Sequence, residues 1–158
     1  QDLNELVELC RSNEVALITD CGTPGFCDPG ADLVRLCRQQ GIAVHTLPGA
    51  SSLMCLLSLS GQRINQFLFR GFVSADSEQR EKDWKQLVNE RRPFVMMDTP
   101  YRLEKTLSEL RKYFPDRKVL VACNVTSPEE LIIEGLGKDM LSEKFPKKAE
   151  FLVLVYGI

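Results

Sequence analysis

The stretch Val15-Ala16-Leu17-Ile18-Thr19-Asp20-Cys21-Gly22-Thr23-Pro24-Gly25-Phe26-Cys27-Asp28-Pro29-Gly30 decides how the chain is read. Residues 15–19 are a short apolar run, suited to a strand buried on both faces of a sheet. Asp20-Cys21-Gly22-Thr23-Pro24-Gly25 cannot continue that strand, because glycine and proline break it. Asp28-Pro29 then has the chemistry of a helix cap followed by proline in the first turn. The predicted helix carries Leu33, Val34, Leu36 and Cys37, and Gly41 stops it. Strand, glycine loop and helix together make one unit of a parallel α/β sheet.

The unit recurs downstream. Residues 42–47 read as the next strand, Pro48-Gly49 as the next break, and Ser51 as the cap of a very apolar helix through Leu59. Upstream, Leu3, Leu6, Val7 and Cys10 recur at helical spacing and predict an amphipathic helix over 2–13. Ser60-Gly61-Gln62-Arg63 is the first polar stretch after a nearly uncharged helix. The joint it marks, near 61–66, predicts two small α/β domains, 1–62 and 63–158, the first of them incomplete. In the second, strands are predicted at 67–73, 94–97, 119–122, 131–133 and 151–155. Helices are predicted at 77–91, around Trp84, Leu87 and Val88, and after Thr99-Pro100, with Leu103, Leu107 and Leu110 on one face. Its last strands lack long crossovers, which predicts a mixed sheet.

Composition narrows the function. Of 158 residues 44% are hydrophobic, enough for a real core, and 20 basic against 22 acidic side chains leave a net charge of −2. That balance argues against a protein held to nucleic acid mainly by phosphate neutralisation, while leaving room for a local basic groove. No apolar stretch approaches the roughly 18–20 residues of a membrane helix, and the N-terminus lacks a basic-then-apolar signal. The expectation is a cytoplasmic protein with no membrane partner. Because it opens with Gln1, the chain reads as a piece of something longer. Cys10, Cys21, Cys27, Cys37, Cys55 and Cys123 form no CxxC pair and read as reduced thiols used as small hydrophobes. The lone His45 lies in an apolar run and reads as a packed strand histidine, so no metal site is expected. GxGxxG, Walker and GxSxG patterns are absent, and Arg91-Arg92, Arg111-Lys112 and Lys147-Lys148 read as solvated faces.

Three strand-end loops remain as candidate sites. Gly22 and Gly25 let a ligand approach the main chain, and Thr23 and Asp20 offer hydrogen bonds to it. Pro48-Gly49-Ala50-Ser51-Ser52 repeats the arrangement with a helix N-terminus and two hydroxyls. Asp98-Thr99-Pro100-Tyr101-Arg102 closes a strand in the second half. Each loop also serves as an ordinary connection with a helix cap, and composition alone leaves the two readings open.

Residues 15–30 resemble the "SDAGTPGISDPG" segment of the tetrapyrrole methylase superfamily, most nearly its branch of ribosomal RNA small-subunit ribose methyltransferases. Leu47-Pro48-Gly49-Ala50-Ser51-Ser52 is similar to that branch's "LPGPSA", Phe69-Arg70-Gly71-Phe72 to "FEGF", and Asp98-Thr99-Pro100-Tyr101-Arg102-Leu103 to "EAPHRL". The resemblance implies two α/β domains with S-adenosylmethionine between them. It places Gly22, Thr23, Pro24, Cys27, Ser51, Ser52, Asp98, Val125 and Thr126 at the cofactor. It implies a bacterial methyltransferase acting on an RNA ribose 2′-hydroxyl, with a tetrapyrrole carbon as second acceptor and a non-catalytic cofactor- or phosphate-binding module as the competing class. Cys123-Asn124-Val125-Thr126-Ser127 stands where the branch has "RELTK", and Tyr101 where it has His. No residue is assigned as catalytic base. The family's opening strand has no counterpart here, so this chain alone is expected to bind the cofactor weakly, to be inactive, and to pair as a homodimer through a bare strand edge.

Overall fold

The computed structural model describes residues 2–19 and 22–158. The chain divides into two compact units, Gln1–Ser51 and Ser52–Ile158. The division falls earlier than the expected joint at 61–66, and its cause is helix α3 (Ser52–Leu59). Leu53 and Leu56 of that helix are buried against strand side chains of the second unit, so α3 belongs to that core.

The second unit is built on a five-stranded mixed sheet in the order β1-β2-β5-β3-β4. Its strands are β1 (Leu68–Phe72), β2 (Phe94–Asp98), β3 (Lys118–Cys123), β4 (Leu131–Leu136) and β5 (Phe151–Val155). β1 and β2 run parallel, joined by α4 (Ser77–Val88), while β5 lies antiparallel between β2 and β3, and β4 is antiparallel to β3. β3 and β4 form an antiparallel pair that a short link closes, whereas β4 and β5 run parallel on either side of β3 and the longer segment 137–150 crosses between them.

Alternate residues of the central strands feed two cores. Phe94, Met96, Val119, Val121, Phe151, Val153 and Val155 point to one face, where Trp84 and Leu87 of α4 and Leu103, Leu107 and Leu110 of α5 (Leu103–Tyr113) cover them. Val95, Leu120, Ala122, Leu152 and Leu154 point to the other, under α3. A sheet covered on both faces needs strands that are apolar on both faces, and β3 from Val119 on and β5 throughout are continuous apolar runs for that reason. Tyr156 ties α3 down at its far end, its hydroxyl donating to the Ser60 carbonyl at 2.9 Å.

The first unit contains α1 (Leu3–Ser12) and α2 (Ala31–Gln39). Asp2 caps α1 by accepting from the Asn4 N–H at 3.0 Å. Asp28 does not cap α2 as expected; the cap position is Gly30, whose φ of 121° no other residue type adopts comfortably. The strands expected at 15–19 and 42–47 do not form among the described residues. Ile18 is 84% exposed and Leu47 87%, and His45 is exposed rather than packed. An apolar run becomes a strand only where a neighbour supplies a ladder, and no ladder reaches these segments.

Candidate functional site

The first unit offers a loop dense in left-handed backbone. Gly22, Gly25, Cys27 and Gly30 all have positive φ, and Cys27 does so without being glycine. The turn is closed by the Phe26 N–H donating to the Thr23 carbonyl and the Gly25 N–H to the Pro29 carbonyl. A Cβ built on Gly22 meets nothing within 4 Å, so the main chain there lies open. One built on Gly49 would stand 4.0 Å from the Thr23 hydroxyl oxygen, which brings the two glycine loops side by side. Thr23 and Pro24 are half-buried and Cys27 is exposed on this loop. Ser51 ends the second loop and Ser52 begins α3, in the next unit. Asp20 and Cys21 lie outside the described residues.

In the second unit the C-terminal ends of β1, β2 and β3 share one sheet edge, because β2 and β3 both run antiparallel to the strand between them. Asp98 ends β2 opposite Phe151, and Cys123 ends β3 opposite the same residue. The structure therefore brings Asp98, Val125 and Thr126 to one edge. Thr126 has φ 68° and Asn124 φ 47°. A β-branched residue in that region is strained, and such strain persists only where the surroundings hold it. Here Glu130 accepts from the Thr126 N–H at 2.6 Å, and the Asn124 carboxamide accepts from the Glu150 N–H at 3.1 Å.

Asp98 is not a free carboxylate. Arg80, 1% exposed, lies 2.6 Å from one of its oxygens and 2.6 Å from Glu109. Thr106 donates its hydroxyl proton to Asp98 at 3.2 Å, and the Thr99 N–H donates at 2.8 Å. Burial works against the Arg80 charge, but the hydrogen bonds and charges of Glu109 and Asp98 outweigh it and hold the guanidinium pKa above its ordinary value. The side chain of Asp98 thus fixes the β2 exit loop, and what that loop offers a ligand is its main chain and Tyr101. The Tyr101 hydroxyl accepts from Lys148 at 3.0 Å, which lowers its pKa.

Sequence reading missed Arg80, taking 77–91 as a charged helix around Trp84, Leu87 and Val88. A signal was present: Arg80, Asp83, Trp84 and Leu87 follow the helical period and share the buried stripe. Asp83, on the same stripe, pairs with Arg70 at 2.6 Å. Lys148 was read as solvated; it is exposed, yet it is bound to Tyr101. No group of three or more His, Cys, Asp or Glu converges among the described residues.

The family model of Tetrapyrrole (Corrin/Porphyrin) Methylases matches residues 2–141, and the chain belongs to that family. It is 39% identical over 121 residues to the Ribosomal RNA small subunit methyltransferase I of Neisseria meningitidis serogroup B, covering 77% of this chain and 42% of that protein. The chain spans about half the length of the curated relatives it matches. Its fold is similar to that of diphthine synthase, with TM-score 0.75 and 17% identity over 97% of this chain and 64% of that one. It is also similar to uroporphyrin-III C-methyltransferase from Thermus thermophilus in complex with S-adenosylhomocysteine, with TM-score 0.61 and 16% identity over 98% of this chain and 71% of that one.

Proposed function

We propose that the protein is an S-adenosylmethionine-dependent methyltransferase whose acceptor is an RNA ribose 2′-hydroxyl. The observation that carries the cofactor half is the open, left-handed main chain at Gly22, beside the Gly49 loop. Such a backbone presents N–H and carbonyl groups to a ligand with no side chain between. Gly22, Thr23, Pro24, Cys27, Ser51 and Ser52 would hold the cofactor, together with the main chain at Asp98, Val125 and Thr126. When bound, S-adenosylmethionine supplies a methyl group activated by a sulfonium. The protein's part is to orient the acceptor in line with that methyl. The RNA acceptor rests on the identity to the ribosomal RNA methyltransferase. A tetrapyrrole acceptor is supported by fold likeness alone. A cytoplasmic location and a homodimer belong to the same reading.

Incubating full-length protein with methyl-labelled cofactor and either total RNA or a tetrapyrrole precursor tests it. Label in RNA is expected; label only in the tetrapyrrole overturns the acceptor, and label in neither overturns the enzyme. Calorimetry on Gly22→Val, folded by circular dichroism, should show cofactor affinity reduced by about tenfold or more, equivalent to about 1.4 kcal/mol. Unchanged binding removes this loop from the site.

A further inference from the structure

Tyr101 is the most exposed of the large aromatic side chains of its unit, ahead of Phe72 at 47%. Trp84, Phe94, Phe114, Phe151 and Tyr156 are buried, whereas Tyr101 is 79% exposed. It sits three residues past Asp98, and Lys148 sits three residues before Phe151, the residue paired with Asp98. The register thus sets the two side chains together at the sheet edge. The Lys148 ammonium lies 4.2 Å from the ring centroid while donating to the hydroxyl oxygen at 3.0 Å. An exposed ring held this way gives up its rotamer freedom in the free protein and loses less on binding. Lys147 adds a second exposed ammonium next to it. Arg102 does not count toward this charge, because it is paired with Asp98 at 3.3 Å.

We propose that Tyr101 is a stacking platform for an unpaired base of single-stranded RNA, with Lys147 and Lys148 taking the adjoining phosphates. The proposal rests on the RNA reading above and deepens it. A ring flanked by cations fits a base with its phosphate, since every base has a π-face and a charge within reach. The same surface fits a tetrapyrrole less well: small-molecule sites enclose most of their ligand, and a ring this exposed encloses nothing. A polymer brings its remaining contacts with it.

The test is fluorescence anisotropy of a labelled, unstructured pyrimidine-rich RNA oligonucleotide against the full chain, over a range of salt. Tyr101→Ala is expected to weaken binding roughly tenfold, and Tyr101→Phe to stay within about twofold of wild type. Lys147→Ala and Lys148→Ala should each lower the slope of log affinity against log salt by about 0.7. Tyr101 is exposed, so circular dichroism should show an unchanged fold. If wild type binds RNA and Tyr101→Ala binds it equally, the platform is wrong and the RNA reading survives. If wild type binds no RNA while binding labelled cofactor, both fall. Binding of a tetrapyrrole carboxylate that Tyr101→Ala abolishes, with no RNA binding, gives the surface to the other acceptor and overturns the proposal.

Discussion

The two units treat similar sequences differently. In the second, β5 is Phe151–Val155, a five-residue apolar strand paired on both sides and buried throughout. In the first, residues 15–19 are apolar but for Thr19, yet no ladder reaches them among the described residues and Leu17 and Ile18 stay in water. Hydrophobic content is therefore a condition for a strand and not its cause. What decides is whether a neighbour satisfies the backbone and covers both faces. The second unit is held by long-range packing, and the first by two helices and tight turns.

The largest expected effect breaks the second unit while leaving the first untouched. Arg80→Met leaves Glu109 without its cation and Asp98 with Arg102 alone, at 3.3 Å, in surroundings where Asp98 is 3% exposed. Removing one partner of a buried pair costs about 3–5 kcal/mol, because the other charge stays buried and unpaired. Urea unfolding followed by Trp84 fluorescence should show that loss. A loss under about 1 kcal/mol would mean water reaches the carboxylates and the network is not the frame of the β2 exit loop.

A matched pair of core truncations comes next. Leu110, fully buried between α5 and the sheet, should cost about 3 kcal/mol on change to alanine. Val7, the buried residue of α1, is smaller and should cost about 1–2 kcal/mol. Both are read by denaturant midpoints with probes in each unit. If Val7→Ala proved as damaging as Leu110→Ala, the first unit would have a core of comparable strength and the contrast would fail.

How far these differences were legible follows from their range in sequence. The bounds of β5 and the existence of β1 to β4 could be read because a buried sheet writes itself as apolar runs. The glycine loops could be read because left-handed backbone at Gly22, Gly25 and Gly30 selects a residue type. Strand pairing at 15–19 could not, since a ladder is a property of two segments and only one was in view. The Arg80–Glu109 pair spans 29 positions and two helices, so neither residue alone announces it. The capping of α2 was misread because Asp28-Pro29 is a good cap sequence, while the chain starts the helix only after Gly30.

Asp83 gives a smaller effect with a defined pH sign. Burial raises its pKa, but hydrogen bonds from Gln79, the Ser74 N–H and Arg70 outweigh that and leave it below the ordinary value. A carboxylate with a depressed folded-state pKa adds stability that is fully present above its unfolded value, about 3.9. That stability is lost as pH falls through the lower folded value. Asp83→Asn should therefore be less stable than wild type at pH 7, and the gap should narrow below about pH 4. A gap constant from pH 7 to pH 2 would assign the effect to packing instead.

The finest comparison sets one thiol of each unit against the other. Cys27 is exposed on the glycine loop, in left-handed backbone, whereas Cys123 is fully buried at the end of β3. Burial also pushes the Cys123 thiol up to about 11. Only the thiolate attacks an alkylating reagent, and while it stays buried Cys123 is almost wholly protonated at about pH 8. Access adds to this, because reagent reaches Cys123 only when the sheet edge opens. Iodoacetamide labelling followed by peptide mapping, which separates Cys27 from Cys21, should find Cys27 modified first. Adding urea below the unfolding midpoint should speed Cys123 and leave Cys27 nearly unchanged, since one depends on opening and the other does not. Equal rates in native buffer would show that the edge carrying Val125 and Thr126 opens as readily as an exposed loop, and the strained backbone there would need another explanation.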